Sequence, residues 1–157
     1  EERYAAARPG KNRPPSLWVL GQFAAGGRDL SQVLAEPNPE KRSRLALQNA
    51  EAALRRAADA YQAGKWEETR QALEEIRQSV EVSYAALKAT GKNPRRSPKH
   101  FKHAEGRTRN LLKRLEDLRQ RFSIEDRPHI ETVEGYVRQV HDELLGGILG
   151  TVVWSGK

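Results

Sequence analysis

The sequence predicts an all-α protein, an up-down antiparallel four-helix bundle with a short N-terminal helix and an irregular apolar C-terminal tail. Three observations lead to this fold class. Apolar residues recur three and four positions apart in four segments, residues that start or stop helices stand at their ends, and most connections are short. At 157 residues, 37% hydrophobic and 31% charged, the chain can bury a core and has no apolar run of membrane-spanning length.

The four segments predict helices over residues 40–63, 66–90, 98–122 and 128–145. In each helix the apolar spacing lays one narrow stripe along one side, as in antiparallel bundles. The connections after the first and third helices are only a few residues, so we expect sequence neighbours to pack antiparallel. The stripes are anchored by Leu47, Leu54, Leu73, Ile76, Val80, Leu87, Phe101, Leu111, Leu115, Leu118, Ile130, Val133, Val137, Val140 and Leu144.

Residues at the segment ends support these boundaries. Asn38 followed by Pro39 is typical of a capped helix start, and Ser97 with Pro98 repeats the pattern before the third helix. Asp126 and Pro128 open the fourth helix in the same way. The helix stops are glycines, at Gly64, Gly91 and the pair Gly146–Gly147.

One short stretch carries a family resemblance. Ala60, Tyr61, Gly64, Trp66, Thr69, Leu73 and Ile76 follow one another at the spacing of a tight helical hairpin. Residues 57–76 thereby resemble the turn and second helix of a single tetratricopeptide unit, although Thr69 replaces the usual alanine and no second copy follows at the family period. The resemblance implies a tight hairpin and an interaction role, not a repeat array.

The net charge of +7 comes from one segment. Residues 92–114 contain nine basic residues and only Glu105 as an acid, a net of 9 − 1 = +8, so the rest of the chain carries a net of −1. Either these charges pair with acidic neighbours and solvate the surface, or they form a patch that binds an anionic partner. The candidate binding residues are Arg95, Arg96, Lys99, Lys102, Arg107, Arg109, Lys113 and Arg114.

Several partners fit a basic patch. A protein partner or self-association agrees best with a helical module, and an anionic polymer, a cell-wall polymer or an anionic lipid surface is the alternative. Nucleic acid is less favoured, because Phe101 is the patch's one aromatic residue and stands in the apolar stripe.

No residue pattern predicts catalysis, a cofactor or a metal. The chain has no cysteine and no methionine, and no Glu-x-x-His pair of the di-iron bundles occurs. His100 and His103 have metal-ligand spacing, but Lys99, Lys102 and Arg107 would repel a cation. The stripes contain no carboxylate or histidine, so we expect no buried acid–base pair and no enzyme activity.

The two ends are apolar and lie outside the four stripes. We expect residues 1–15 to be a flexible, basic and proline-rich lead-in, and residues 16–157 to form one domain. Ser16–Ala25 predicts the short helix, and Gly150–Trp154 predicts an extended run. These ends either fold back on the bundle or contact a partner, and the candidate contact residues are Trp18, Phe23, Val153 and Trp154.

Together these observations favour a non-enzymatic helical interaction or scaffold module, either on its own or as a subunit of a larger assembly. The alternative is a polyanion-binding protein that uses the basic 92–114 patch. The missing methionine at position 1 suggests a processed chain, and with the absence of cysteine it leads us to expect a periplasmic or secreted protein.

Overall fold

A computed structural model of the chain describes residues 29–154. Within that range the chain is helical and has no β-strand, which confirms the all-α class. Trp18, Phe23, the predicted helix at Ser16–Ala25 and the 1–15 lead-in lie outside the described residues. The elements are α1 (Leu30–Leu34), α2 (Pro39–Gln62), α3 (Trp66–Ala89), α4 (Lys99–Arg121), a 3₁₀ turn (Ile124–Asp126) and α5 (Arg127–Leu149).

The helix ends agree with the sequence at Asn38, Gly64 and Gly91 and differ at the starts of α4 and α5. Asn38 caps α2 by accepting from the backbone N–H groups of Glu40 and Lys41, and Gly64 and Gly91 follow α2 and α3 with φ of 75° and 70°. Glycine adopts this left-handed backbone at little steric cost. By contrast, Pro98 stands at the N-cap of α4 and Asp126 at that of α5, both in right-handed backbone and neither with a capping side-chain bond.

The glycine pair Gly146–Gly147 does not end the last helix as predicted. Both residues are buried inside α5, which continues to Leu149 and ends at Gly150 with φ of 79°. A Cβ on Gly147 would lie only 3.0 Å from Pro94 Cγ. The absence of a side chain here lets the loop that contains Pro94 pack closely against α5, and the helix continues through both glycines. Close packing therefore overrides the low helix propensity of glycine here.

The predicted extended run after Gly150 is also absent. The N–H groups of Thr151 and Val152 both bond to Gly146 O, at 2.9 and 3.3 Å, and this turns the chain back over the end of α5. Bonds of this kind satisfy the last carbonyl groups of a helix. Local helix-end geometry thus outweighs the β propensity of the two residues.

Two helix pairs run antiparallel. The contact between α2 and α3 is the most extensive in the structure, and Ser43 bonds Ser83 at 2.7 Å near one end. Near the other end Tyr61 lies edge-on to Trp66, with ring centroids 6.1 Å apart. The second pair is α4 with α5, whose antiparallel contacts include Arg119–Glu134 and His141–Glu105.

The two pairs lie side by side with parallel neighbours. Helix α2 runs alongside α4, and α3 alongside α5, whereas the consecutive helices α3 and α4 make little contact. The longer connection over 90–98 thus joins two helices that make little contact, unlike the short connections after α2 and α4. The connection over 90–98 reaches about 30 Å when extended, long enough to cross the end of the molecule.

One main apolar cluster draws on all four long helices. Its largest fully buried side chains include Phe101, Leu111 and Leu115 from α4. A smaller cluster joins Leu30 and Val33 of α1 to the start of α2. The main cluster fixes the relative positions of the helix ends, where the basic segment lies.

Candidate interaction surface

The first half of α4 presents its basic side chains on one outward face. Four exposed cations follow one another at spacings of three, seven and four residues: Lys99, Lys102, Arg109 and Lys113. The buried positions between them face the core, because a helix returns to the same side every three or four residues; they are Phe101, Ala104, Thr108 and Leu111. These four residues form what we call the basic row.

Three cations of the predicted patch are paired with carboxylates. Lys92 lies 2.7 Å from Glu40, and Arg107 makes two 2.7 Å bonds to Glu51 on α2. Arg109 bonds Glu105 within its own helix at 3.0 Å. Hydrogen bonding to Arg109, and then to His141, holds the pKa of Glu105 below its ordinary value. For these three cations the surface-pairing interpretation is correct.

The remaining cations of the patch are not paired in this way. Within residues 29–154, no carboxylate lies within ion-pair distance of Arg95, Arg96, Lys99, Lys102, Lys113 or Arg114. Five of these side chains are exposed and Arg114 is half-buried. Like charges held together without counter-charges repel each other, so an anion placed here would be attracted.

The C-terminal tail folds over the end where the basic row begins. Trp154 is half-buried and packs edge-on against Phe101 and Tyr84, with ring centroids 5.2 and 5.9 Å away. Val153 beside it is 93% exposed. Of the predicted apolar contact residues in the described range, one therefore packs on the helices and the other faces solvent.

The loop before α4 is fastened to this same end. Pro94 is buried and packs closely against Gly147. The Arg95 side chain lies across Gly150. The Lys88 ammonium sits 5.8 Å from the centre of the Trp154 ring, a cation–π contact. The tertiary structure thus brings the basic loop and the apolar tail together, which their separation in sequence did not predict.

Two of the histidines lie beside carboxylates of neighbouring helices. His100 Nε2 lies 3.2 Å from Glu40, and His141 Nε2 lies 2.9 Å from Glu105. Burial, and then the charges of Arg107 and Arg44, lower the pKa of His103. Across residues 29–154 no three His, Asp or Glu side chains converge in a way that could hold a metal ion.

Buried polar groups are the main feature that the sequence did not reveal. Glu75 is 1% exposed, and its carboxylate accepts from Asn49 Nδ2 at 2.7 Å and lies 3.3 Å from Arg56. The same amide donates to Ser79 Oγ at 2.9 Å. These residues lie on the α2–α3 contact beside the predicted stripes. The stripes themselves hold no carboxylate, but Glu75 beside them is buried next to Arg56, which the stripes did not predict. The small polar residues that flank the stripes were the available signal.

A second surface feature is an open groove of about 650 Å³ between α3 and α5. Leu73 and Val133 contribute its apolar lining. Its charged rim is largely neutralised within α3, where Arg70 pairs with Glu67 and Arg77 pairs with Glu74. The groove therefore offers an anionic ligand less than the basic row does.

No protein-family model, curated protein or solved structure matches this chain. Among the helices between residues 29 and 154, none has the length and apolar character needed to span a membrane.

Proposed function

We propose that the chain is a non-enzymatic helical interaction module, a four-helix bundle that holds a basic surface in place for an anionic partner. The observation that carries this proposal is the set of six cations, Arg95 to Arg114, that have no carboxylate partner within the described range. The helices beneath them share one apolar cluster, which limits how the row can deform. The partner is a protein, or the chain is a subunit of a larger assembly.

The hairpin formed by α2 and α3 supports an interaction role in a second way. Its residues 57–76 resemble one tetratricopeptide unit, a motif whose helices present contact surfaces. Only one such unit is proposed, embedded in the bundle. Self-association through the basic row is disfavoured, because two copies would bring like charges together.

The second candidate is a polyanion-binding protein. The basic row favours it, because cations repeated along about 21 Å of helix can contact several anionic groups of an extended polymer. Base stacking receives no comparable support, since Phe101 is 1% exposed. An anionic polymer without bases to stack, such as a sulfated polysaccharide, therefore fits better than a single-stranded nucleic acid.

Heparin chromatography tests the basic surface. We expect retention at low salt, and about a thousandfold loss of affinity between 50 and 200 mM salt if six cations make contacts. Lys99→Glu with Lys102→Glu should elute earlier. The matched control is Lys65→Glu with Arg70→Glu, which makes the same charge change at exposed positions at the start of α3, a helix that makes little contact with α4.

The control variant should elute later than the row variant, although both have the same net charge. Equal elution would mean that retention reports net charge alone and would contradict a binding surface at the row. If the wild-type protein is retained and also captures an acidic protein that the row variant does not, the protein-partner proposal is supported over the polymer.

A further inference from the structure

The exposed apolar side chains of the described residues are unevenly placed. Of the five large hydrophobic residues that are exposed within residues 29–154, three stand together at the end of α5. These are Leu149, Val152 and Val153, exposed by 60, 44 and 93%, and we call them the apolar tip. The others, Leu34 and Ile124, lie elsewhere on the chain.

The apolar tip is held by specific bonds. Gly150 reverses the chain, and two N–H groups of the tail bond to Gly146 O. Trp154 then anchors the tail on Phe101. The tip is therefore part of a folded end of the molecule, and its exposed side chains project from a supported backbone.

Several cations lie near this tip. Arg95 lies across Gly150, Lys88 lies over the ring of Trp154, and Arg96 and Lys99 follow in the adjoining loop and helix start. An apolar protrusion with cations beside it matches one kind of surface closely. The edge of an anionic bilayer offers negative phosphate groups above an apolar interior, separated by a few ångströms.

We propose that this end of the molecule binds peripherally to an anionic lipid bilayer. The apolar tip enters the headgroup region, and Arg95, Arg96 and Lys99 contact lipid phosphates. The inference goes beyond the proposed function, because it assigns a lipid bilayer to this end of the molecule in addition to the anionic partner proposed for the basic row. A soluble polyanion would use the cations but leave Leu149 and Val153 in water, whereas a bilayer uses both features at once.

Binding to the bilayer is expected to need the apolar tip and the cations together. A single short apolar anchor gives only weak, reversible membrane binding, and a few surface charges are screened at physiological salt. Binding should therefore require anionic lipid and also an intact tip. High salt should therefore release the protein from the vesicles, because the apolar tip alone does not hold it there.

Vesicle co-sedimentation tests the proposal. The folded chain should sediment with phosphatidylcholine vesicles that contain 30% phosphatidylglycerol and stay in solution with phosphatidylcholine alone. Val153→Asn should weaken binding roughly tenfold, since the lost apolar burial is equivalent to about 1.5 kcal/mol. The matched control is Ile124→Asn, which replaces a 75% exposed side chain away from the tip and should bind as the wild type does.

The outcomes separate this inference from the proposed function. Retention on heparin without vesicle binding would overturn the bilayer inference and leave the interaction module standing. Vesicle binding that Val153→Asn does not change would also overturn it, because charge alone would then explain the binding. If the protein binds neither heparin nor vesicles, both proposals fail.

Discussion

Glu75 is a carboxylate whose environment favours the neutral form. Burial raises its pKa to about 7, against the opposing effects of the Asn49 hydrogen bond and the Arg56 charge, while the charge of Asp29 adds slightly to the rise. The Oδ1 atom of Asn49 is buried and accepts no hydrogen bond among the described residues. A protonated Glu75 could donate to that oxygen if the amide turned over, with Ser79 as a second donor.

The raised pKa of Glu75 makes stability depend on pH. The folded state keeps a proton that the unfolded state releases above its ordinary value of 4.5, so the free energy of unfolding falls as pH rises from about 4.5 to about 7. The fall is on the order of 3 kcal/mol. Urea denaturation between pH 4.5 and 8 should show this slope, and Glu75→Gln should remove most of it.

Glu68→Gln is the control for that measurement. Glu68 lies on the same helix but is exposed, so its replacement should leave the slope unchanged. An unaltered slope in Glu75→Gln would mean that another group is responsible for the pH dependence.

Gly147 is required by the close approach of the loop and the tail. In Gly147→Ala the new Cβ would lie 3.0 Å from Pro94 and 3.2 Å from Trp154, so neighbouring atoms must move. We expect a loss of about 1–3 kcal/mol in thermal or urea unfolding. In Gly135→Ala the Cβ meets nothing within 4 Å, and removing a glycine from mid-helix should instead stabilise the protein by about 0.5–1 kcal/mol.

At the scale of single helices, the start of α2 depends on Asn38. Its side chain satisfies two backbone N–H groups that have no partner within the helix. Asn38→Ala should lower the free energy of unfolding by about 1 kcal/mol, whereas Asn38→Asp retains the acceptor and should stay close to the wild type. A loss of the same size in both variants would show that the amide serves some purpose other than capping.

Where the element ends were mispredicted, neighbouring segments were responsible. Gly146 and Gly147 look like a helix stop when read alone, yet α5 passes through them because Pro94 and the tail pack closely against them. Asn38, Gly64 and Gly91 were predicted correctly because capping and left-handed turns depend on a few adjacent residues.

At the scale of the whole molecule, the cations that stabilise the fold through ion pairs can be distinguished from those proposed to bind a partner. Arg107→Gln breaks the pair with Glu51 and should cost about 1 kcal/mol of stability. Lys113→Gln breaks no pair and should change stability by less than about 0.5 kcal/mol. Lys113→Gln should nevertheless reduce the salt concentration of heparin elution at least as much as Arg107→Gln does. Both variants should be measured by denaturation and by heparin elution. The assignment would be contradicted if Arg107→Gln lost more stability and also more heparin affinity than Lys113→Gln.

The sequence by itself determined the helical class, most helix boundaries and the location of the charge. Those features follow from local periodicity, capping residues and composition, which need no knowledge of distant contacts. The tertiary structure alone decided which helices are neighbours, which carboxylates are buried and which cations are paired. It also placed Trp154 and Pro94 at one end with the basic row. These properties depend on contacts between residues far apart in the chain, and the connection over 90–98 is long enough to allow more than one arrangement.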